Sequence, residues 1–230
     1  MITSLGSCRC DVPGSNLINS RISYTHTTKE ALQLIRFLKG EITIEKPYSR
    51  FCFRTPIITI NPDYYFSLTD EFQEMFRNSK VIILEICSRK KYIHNSHYLH
   101  HLCVDKRFAK FNRHTPKEIL DNYKIELQTD EEIEQDILEI QRQIGSKKLI
   151  VVSHYNSLMN NSPIPSREHL INSVTALAQK HSIPFVNPKT VFEGLTQEEV
   201  VTKDLGHYTP LGVEIMQKHL ESKVIKLTQQ

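Results

Sequence analysis

Lys80-Val-Ile-Ile-Leu-Glu-Ile-Cys87 is the run that decides the fold. Its continuous apolar character suits a central parallel strand buried on both faces, not an alternating, half-solvated one. Such a strand needs helical crossovers on either side, and the flanking sequence supplies them. Upstream, Thr27 stands three residues before Glu30 as a capping box, Ala31, Leu34, Ile35 and Leu38 recur at helical spacing, and Gly40 supplies the stop. Downstream, Thr129 opens a helix whose Ile133, Ile137, Ile140 and Ile144 form a stripe ending at Gly145.

Further strands read at residues 2–5, 56–60, 148–153 and 183–186, and further helices at 63–78, 166–181 (capped by Ser166, with Leu170, Val174, Leu177 and Ala178 inward) and 209–226. Pro13, Gly14, Ser15 and Asn16 mark a loop. Residues 90–128 lack a clear period and read as an irregular, His-rich insertion with short helices. The alternation predicts one α/β domain over residues 1–230, a three-layer α/β/α sandwich around a mostly parallel, flavodoxin-like sheet. In open α/β sheets ligands bind beyond the carboxyl ends of the strands, which makes Ser88 and Arg89 a candidate site wall.

Composition narrows the function. Hydrophobic residues make up 39% of the 230-residue chain and charged residues 24%, enough apolar surface for a packed core. A formal net charge of +3, with basic and acidic residues intermixed, excludes a nucleic-acid footprint. No apolar run approaches the roughly 18 residues of a membrane span, the first residues lack a signal-peptide pattern, and the expected location is the cytoplasm. Five cysteines, an odd number, fit free thiols in a reducing compartment, and no zinc-site spacing accompanies Cys8 and Cys10.

A strand entering Gly6-Ser7-Cys8, paired with Asp204-Leu-Gly-His207-Tyr-Thr-Pro-Leu-Gly212 before the last helix, resembles the first and last sequence blocks of SGNH hydrolases. Cys at the nucleophile position brings it closer to the Gly-Ser-Cys branch, which includes GSCFA-domain proteins and polysaccharide-biosynthesis acetyltransferases. The resemblance implies an acyltransferase or esterase acting on O-acyl groups, those of a carbohydrate among them, with Cys8 or Ser7 as nucleophile, His207 as base and Asp204 orienting it. A thiol has an ordinary pKa near 8.5 and an imidazole one near 6.5, so a paired His generates thiolate at neutral pH. The same branch implies acetyl-CoA or another acyl donor as co-substrate, with no required cofactor.

The chain departs from the family where Ser7 replaces the usual Asp, and where Cys87-Ser88-Arg89 stands in place of a Gly-x-Asn-Asp block. The oxyanion and substrate contacts are therefore open among Gly6, His26, Ser88, Arg89, His154, Asn156 and Tyr208, with the backbone near Gly40 as a further option. Arg89 and Arg167 suit an anionic group or, more commonly for arginine, a surface ion pair. His94, His97, His100 and His101 read as a solvated surface cluster, because Lys90, Lys91 and Lys106 surround them and no carboxylate stands at ligand spacing. Two rival readings are a non-catalytic binding module and a His-rich metalloprotein.

Overall fold

The computed structural model describes residues 1–10, 22–45, 48–54 and 70–229. In chain order the main elements are β1 (Ile2–Leu5), α1 (Thr28–Leu38), α2 (Asp70–Asn78), β2 (Val81–Ile86), β3 (Lys90–His94), β4 (His97–Leu99), β5 (Lys124–Leu127), α3 (Asp130–Ile144), β6 (Lys148–Ser153), α4 (Pro165–Lys180), β7 (Phe185–Val186) and α5 (Pro210–Thr228). The fold is mixed α/β with a mostly parallel sheet, as expected from the strand and helix alternation. The expected strand at 56–60, the loop at Pro13–Asn16 and the start of the helix at 63–78 lie outside the described residues.

Two compact units divide the chain. The first comprises Met1–Arg21, Asn78–Ser88 and Ser146–Gln230; the second comprises Ile22–Arg77 and Arg89–Gly145. In the first, the order β1-β2-β6-β7 runs parallel throughout, with Leu5 opposite Leu84, Ile83 opposite Ile150 and Val152 opposite Val186. Every residue of β2 is buried, which is why its sequence does not alternate. Period-two geometry puts Val81, Ile83 and Glu85 on one face. Val81 and Ile83 join Ile150, Val152 and Val186 in a core closed by Phe192, Val200, Tyr208 and the Met216, Leu220 and Val224 stripe of α5. Burying each such aliphatic side chain stabilises the fold by about 1.5–3 kcal/mol. Glu85, on the same face and 2% exposed, works against that gain unless its charge is compensated.

Two helix starts differ from the sequence expectation, those of α4 and α1. α4 begins at Pro165 behind Ile164, whose side chain makes no cap, so Ser166 lies inside the first turn. Proline at the first helical position needs no hydrogen-bond partner and sets φ for the helix, which makes a hydroxyl cap dispensable.

In the second unit α1 and α3 are linked by polar contacts. Asp136 accepts from Thr28 Oγ1 and Lys29 Nζ, each at 2.7 Å, and from Gln128 Nε2 at 2.9 Å. Thr129 caps α3 as expected, and Glu132 answers its backbone N–H to complete a capping box. Thr27 caps α1, but Glu30 answers the backbone N–H of His26 instead of that of Thr27, so the reciprocal half is displaced by one residue.

The segment read as irregular carries an antiparallel sheet, β4-β3-β5, along with short helices. Asn95 and Ser96 both take positive φ, 47° and 67°, and turn β3 into β4 as a two-residue hairpin. His94 and His97 face each other across it, while His100 caps and His101 opens a 3-10 helix, His101–Cys103. The expected solvated cluster is overturned for two of its members: His94 is 4% exposed, with its Nδ1 hydrogen-bonded to the Tyr48 hydroxyl, and His100 is 1% exposed. Lys91, flanking them, is buried too, paired with Glu132 and Glu126 at 2.8 and 3.3 Å.

Candidate functional site

Beyond the carboxyl end of β1, the chain turns through Gly6 into a short 3-10 helix, Cys8–Cys10. Gly6 is required by close approach, since a Cβ there would sit 2.6 Å from the Glu85 Cβ. That approach brings the turn onto the carboxylate. Glu85 Oε2 accepts from the Ser7 backbone N–H at 2.9 Å, the Ser7 hydroxyl at 2.7 Å and the Cys10 thiol at 3.3 Å. Oε1 is 2.8 Å from His154 Nδ1.

Arg9 supplies the compensating charge. Its Nη1 donates to His154 Nε2 at 3.2 Å and to the Tyr155 carbonyl at 3.0 Å. Its Nε donates to the Gly206 carbonyl at 3.0 Å, and its Nη2 to the Leu205 carbonyl at 2.7 Å and to Ser157 Oγ at 3.4 Å. The guanidinium also lies over the Tyr208 ring, 5.0 Å from its centre. Because a guanidinium only donates, His154 Nε2 must hold the lone pair and Nδ1 the hydrogen, which then donates to Glu85. The relay Arg9 to His154 to Glu85 joins one cation to one anion through a neutral ring.

The titration directions agree with this assignment. Burial pushes the Glu85 carboxyl up, but His154, Ser7 and the Arg9 charge together outweigh burial and hold it well below the usual carboxylate range. Burial lowers the His154 imidazole below its ordinary value, keeping it neutral. Burial, reinforced by the Glu85 charge, pushes the Cys87 thiol well up.

Asp204 and His207 occupy a loop pinched shut by the Val201–Tyr208 bridge and by Thr202 N–H donating to the His207 carbonyl at 3.0 Å. Gly212, in the first turn of α5, lets that turn pack on the Val200 carbonyl, where a Cβ would lie 2.3 Å away. Asp204 Oδ1 accepts from the Thr202 hydroxyl at 2.6 Å and the Gly206 N–H at 2.7 Å, while Oδ2 lies 2.7 Å from His207 Nδ1. The Thr202 hydroxyl, followed by the Gly206 N–H and His207, holds the Asp204 carboxyl well below its usual range. An ionised carboxylate on Nδ1 places the ring hydrogen there and leaves Nε2 as the basic nitrogen. The His207 side chain is 61% exposed, open to a ligand.

The first unit therefore brings together Gly6, Ser7, Cys8, His154, Asp204, His207 and Tyr208, because Arg9 ties the N-terminal turn to the carbonyls just before His207. Cys8 is partly exposed. Ser88 ends a segment of the same unit. Asn156 is spent elsewhere: its amide nitrogen donates to the Ile164 carbonyl and Glu168, and its oxygen accepts from Ile164 N–H, bracing the entry to α4. His26 and Arg89 lie in the second unit, where Arg89 binds the Gln128 carbonyl and Asp130.

Three residues of the network escape sequence reading: Arg9, Glu85 and Cys10. Glu85 leaves one legible trace, a lone carboxylate inside a strand that is otherwise apolar from Val81 to Ile86. Glu85, Cys87 and His154 have ligand atoms within 4.8 Å of one another, but the Glu85 oxygens are committed to four donors and the Cys87 thiol holds its proton, which suits them poorly to a metal.

A parallel sheet that carries Gly6-Ser7-Cys8 after its first strand and an Asp204–His207 pair before its last helix has the organisation of the SGNH-like superfamily. The chain belongs to the TviD N-terminal domain family, whose profile matches residues 1–118 and 111–222. It is 26% identical over 247 residues to the Vi polysaccharide biosynthesis protein TviD of Salmonella typhi, covering 91% of this chain and 30% of that protein. The chain thus spans about a third of the length of that relative. Among solved structures, an acylhydrolase candidate from Bacteroides fragilis has a TM-score of 0.48 and 13% identity, covering 98% of this chain and 86% of its own. A variant of an acetyl-xylooligosaccharide esterase from Geobacillus Stearmophilus has a TM-score of 0.42 and 10% identity, covering 94% and 90% respectively. No described helix is long and apolar enough to cross a membrane.

Proposed function

We propose that the chain is an acyl-transfer enzyme, an O-acyltransferase or esterase acting on a carbohydrate, that works through an acyl-enzyme on Cys8. His207 Nε2 takes the thiol proton, and the thiolate adds to the acyl carbonyl of the donor. The tetrahedral adduct expels the donor's leaving group, which receives the proton from the imidazolium. A carbohydrate hydroxyl, or water, then attacks the thioester with His207 again as base, releasing the acylated or free acid product and restoring the thiol. Asp204 holds the tautomer and stabilises the imidazolium.

The observation that carries this reading is the Asp204–His207 hydrogen bond on a loop tied by Arg9 to the turn containing Cys8. Cys8 is preferred to Ser7 because the Ser7 hydroxyl already donates to Glu85, and a carboxylate held at low pKa is a poor base for activating it. The carbohydrate acceptor rests on the relative's name alone.

Intact-mass analysis after incubation with acetyl-CoA and with an activated acetyl ester tests the assignment. Wild type and Ser7→Ala are expected to carry one acetyl group, Cys8→Ala none, and His207→Ala to acquire it far more slowly. Asp204→Asn should slow acylation by about 10²- to 10⁴-fold. Equal labelling of all variants would remove the mechanism.

A further inference from the structure

We propose that His26, His100 and His101 form a binding site for a single borderline divalent cation, zinc in the first place, within the second unit. The three come from two separate stretches of chain, the approach to α1 and the segment after β4, and their ligand atoms all lie within 4.8 Å of one another. Ring centres are 4.8 Å apart for His26 and His100, 4.3 Å for His26 and His101, and 4.7 Å for His100 and His101. Tetrahedral zinc with nitrogens at about 2.0–2.1 Å needs those nitrogens about 3.4 Å apart, so ring rotations closing the gap by up to ~1.4 Å complete the triangle.

Chemistry favours a metal over solvation or ion pairing here. His100 is 1% exposed, and its Nδ1 accepts from Leu102 N–H at 3.3 Å, which leaves the hydrogen on Nε2. That Nε2 has no hydrogen-bond partner among the described residues. A buried unsatisfied donor costs about 1–3 kcal/mol. Moving the hydrogen to Nδ1 gives up one long hydrogen bond, worth about 1 kcal/mol, and frees Nε2 as a ligand. Structural zinc sites supply several times that amount, so the exchange is favourable.

All three rings are suited to the role. Each imidazole can turn one ring-nitrogen lone pair to the ion while its other nitrogen keeps the hydrogen. His26 is 20% exposed at its side chain and His101 is partly buried, which gives the ion a path in. The Glu30 carboxyl lies 3.9 Å from His26 Nδ1. Three neutral ligands leave a fourth position for water, and imidazole also suits nickel and copper.

The test uses the full chain prepared without a polyhistidine tag, stripped with chelator and titrated with cobalt(II) and zinc(II). Wild type should bind one equivalent, and cobalt should give visible bands of tetrahedral intensity that zinc abolishes. His26→Gln, at the partly exposed ligand, is expected to weaken zinc by at least 10-fold in calorimetric titration, as are His100→Ala and His101→Ala. His97→Ala, outside the triangle, should bind as wild type. The proposal fails if wild type holds less than a tenth of an equivalent, or if His26→Gln, shown folded by circular dichroism, binds zinc as tightly as wild type.

Discussion

Replacing Glu85 by Gln tests whether the strand carboxylate organises the N-terminal turn. The substitution keeps volume and removes one charge at a site 2% exposed. Four donors converge on the carboxylate: Ser7 N–H, Ser7 O–H, the Cys10 thiol and His154 Nδ1–H. An amide has only one oxygen to offer them, so its NH₂ must face a donor. Rotating the His154 tautomer to accept from that NH₂ would turn Nε2–H toward the Arg9 guanidinium, which is worse. The variant therefore leaves at least one buried donor unsatisfied and the Arg9 charge uncompensated, which costs about 3–5 kcal/mol. For a chain of this size each kcal/mol moves Tm by about 2–4 °C, giving a fall of roughly 6–20 °C by circular dichroism.

The pH dependence carries the same signature. A carboxyl whose folded pKa is depressed stabilises the fold above its unfolded pKa, near 4.5, and that stability is lost as pH falls below it toward the folded value. The gap between wild type and Glu85→Gln should therefore be full at pH 7 and shrink on acidification below about pH 4.5. A Tm within 2 °C of wild type at pH 7, or a gap that does not change with acid, would refute the relay.

Arg9→Lys keeps the charge but loses the fork that spans Gly206, Leu205 and Tyr155. With the His207 loop loosened by about 1 Å, kcat for acetyl-ester hydrolysis should drop on the order of 10²-fold with KM little changed; a pure KM effect would assign Arg9 to substrate binding instead. Gly6→Ala drives a methyl to 2.6 Å from the Glu85 Cβ, and urea unfolding should register a loss of about 1–3 kcal/mol. Burial raises the Glu30 carboxyl from 4.5 to about 8, so its neutral form is favoured in the fold and stability is lost as pH climbs between those values. Glu30→Gln should gain on wild type progressively from pH 5 to 8, by on the order of 3–5 kcal/mol at the upper end, and a pH-independent difference would show that Glu30 does not titrate in this range.

Much of the fold is legible along the chain because its signals are local. The apolar run ending at Cys87, the Thr129 cap and the isoleucine stripe of α3 each depend on neighbours within one or two turns, and each appears where the pattern puts it. Asp204 and His207 are legible for the same reason, since three residues of spacing suffice to join them. The hairpin at Asn95-Ser96 was harder to read, because it lacks the Asn-Gly signal and its strands are rich in Lys and His.

By itself, then, the sequence determined the parallel sheet, the position of the Gly6-Ser7-Cys8 turn at a strand end and the internal geometry of the Asp204–His207 pair. Only the tertiary structure decided what surrounds them. Arg9 reaches carbonyls 196 and 197 residues away, Glu85 collects Ser7 from 78 residues away, and His26 meets His100 and His101 across a similar gap. Hydrogen bonds from His154 and Ser7 and the Arg9 charge keep the Glu85 carboxyl ionised against the pull of burial, while burial favours the neutral His154 ring. Periodicity records which face a residue occupies; whether a polar group there finds a partner depends on chain segments brought close only by folding.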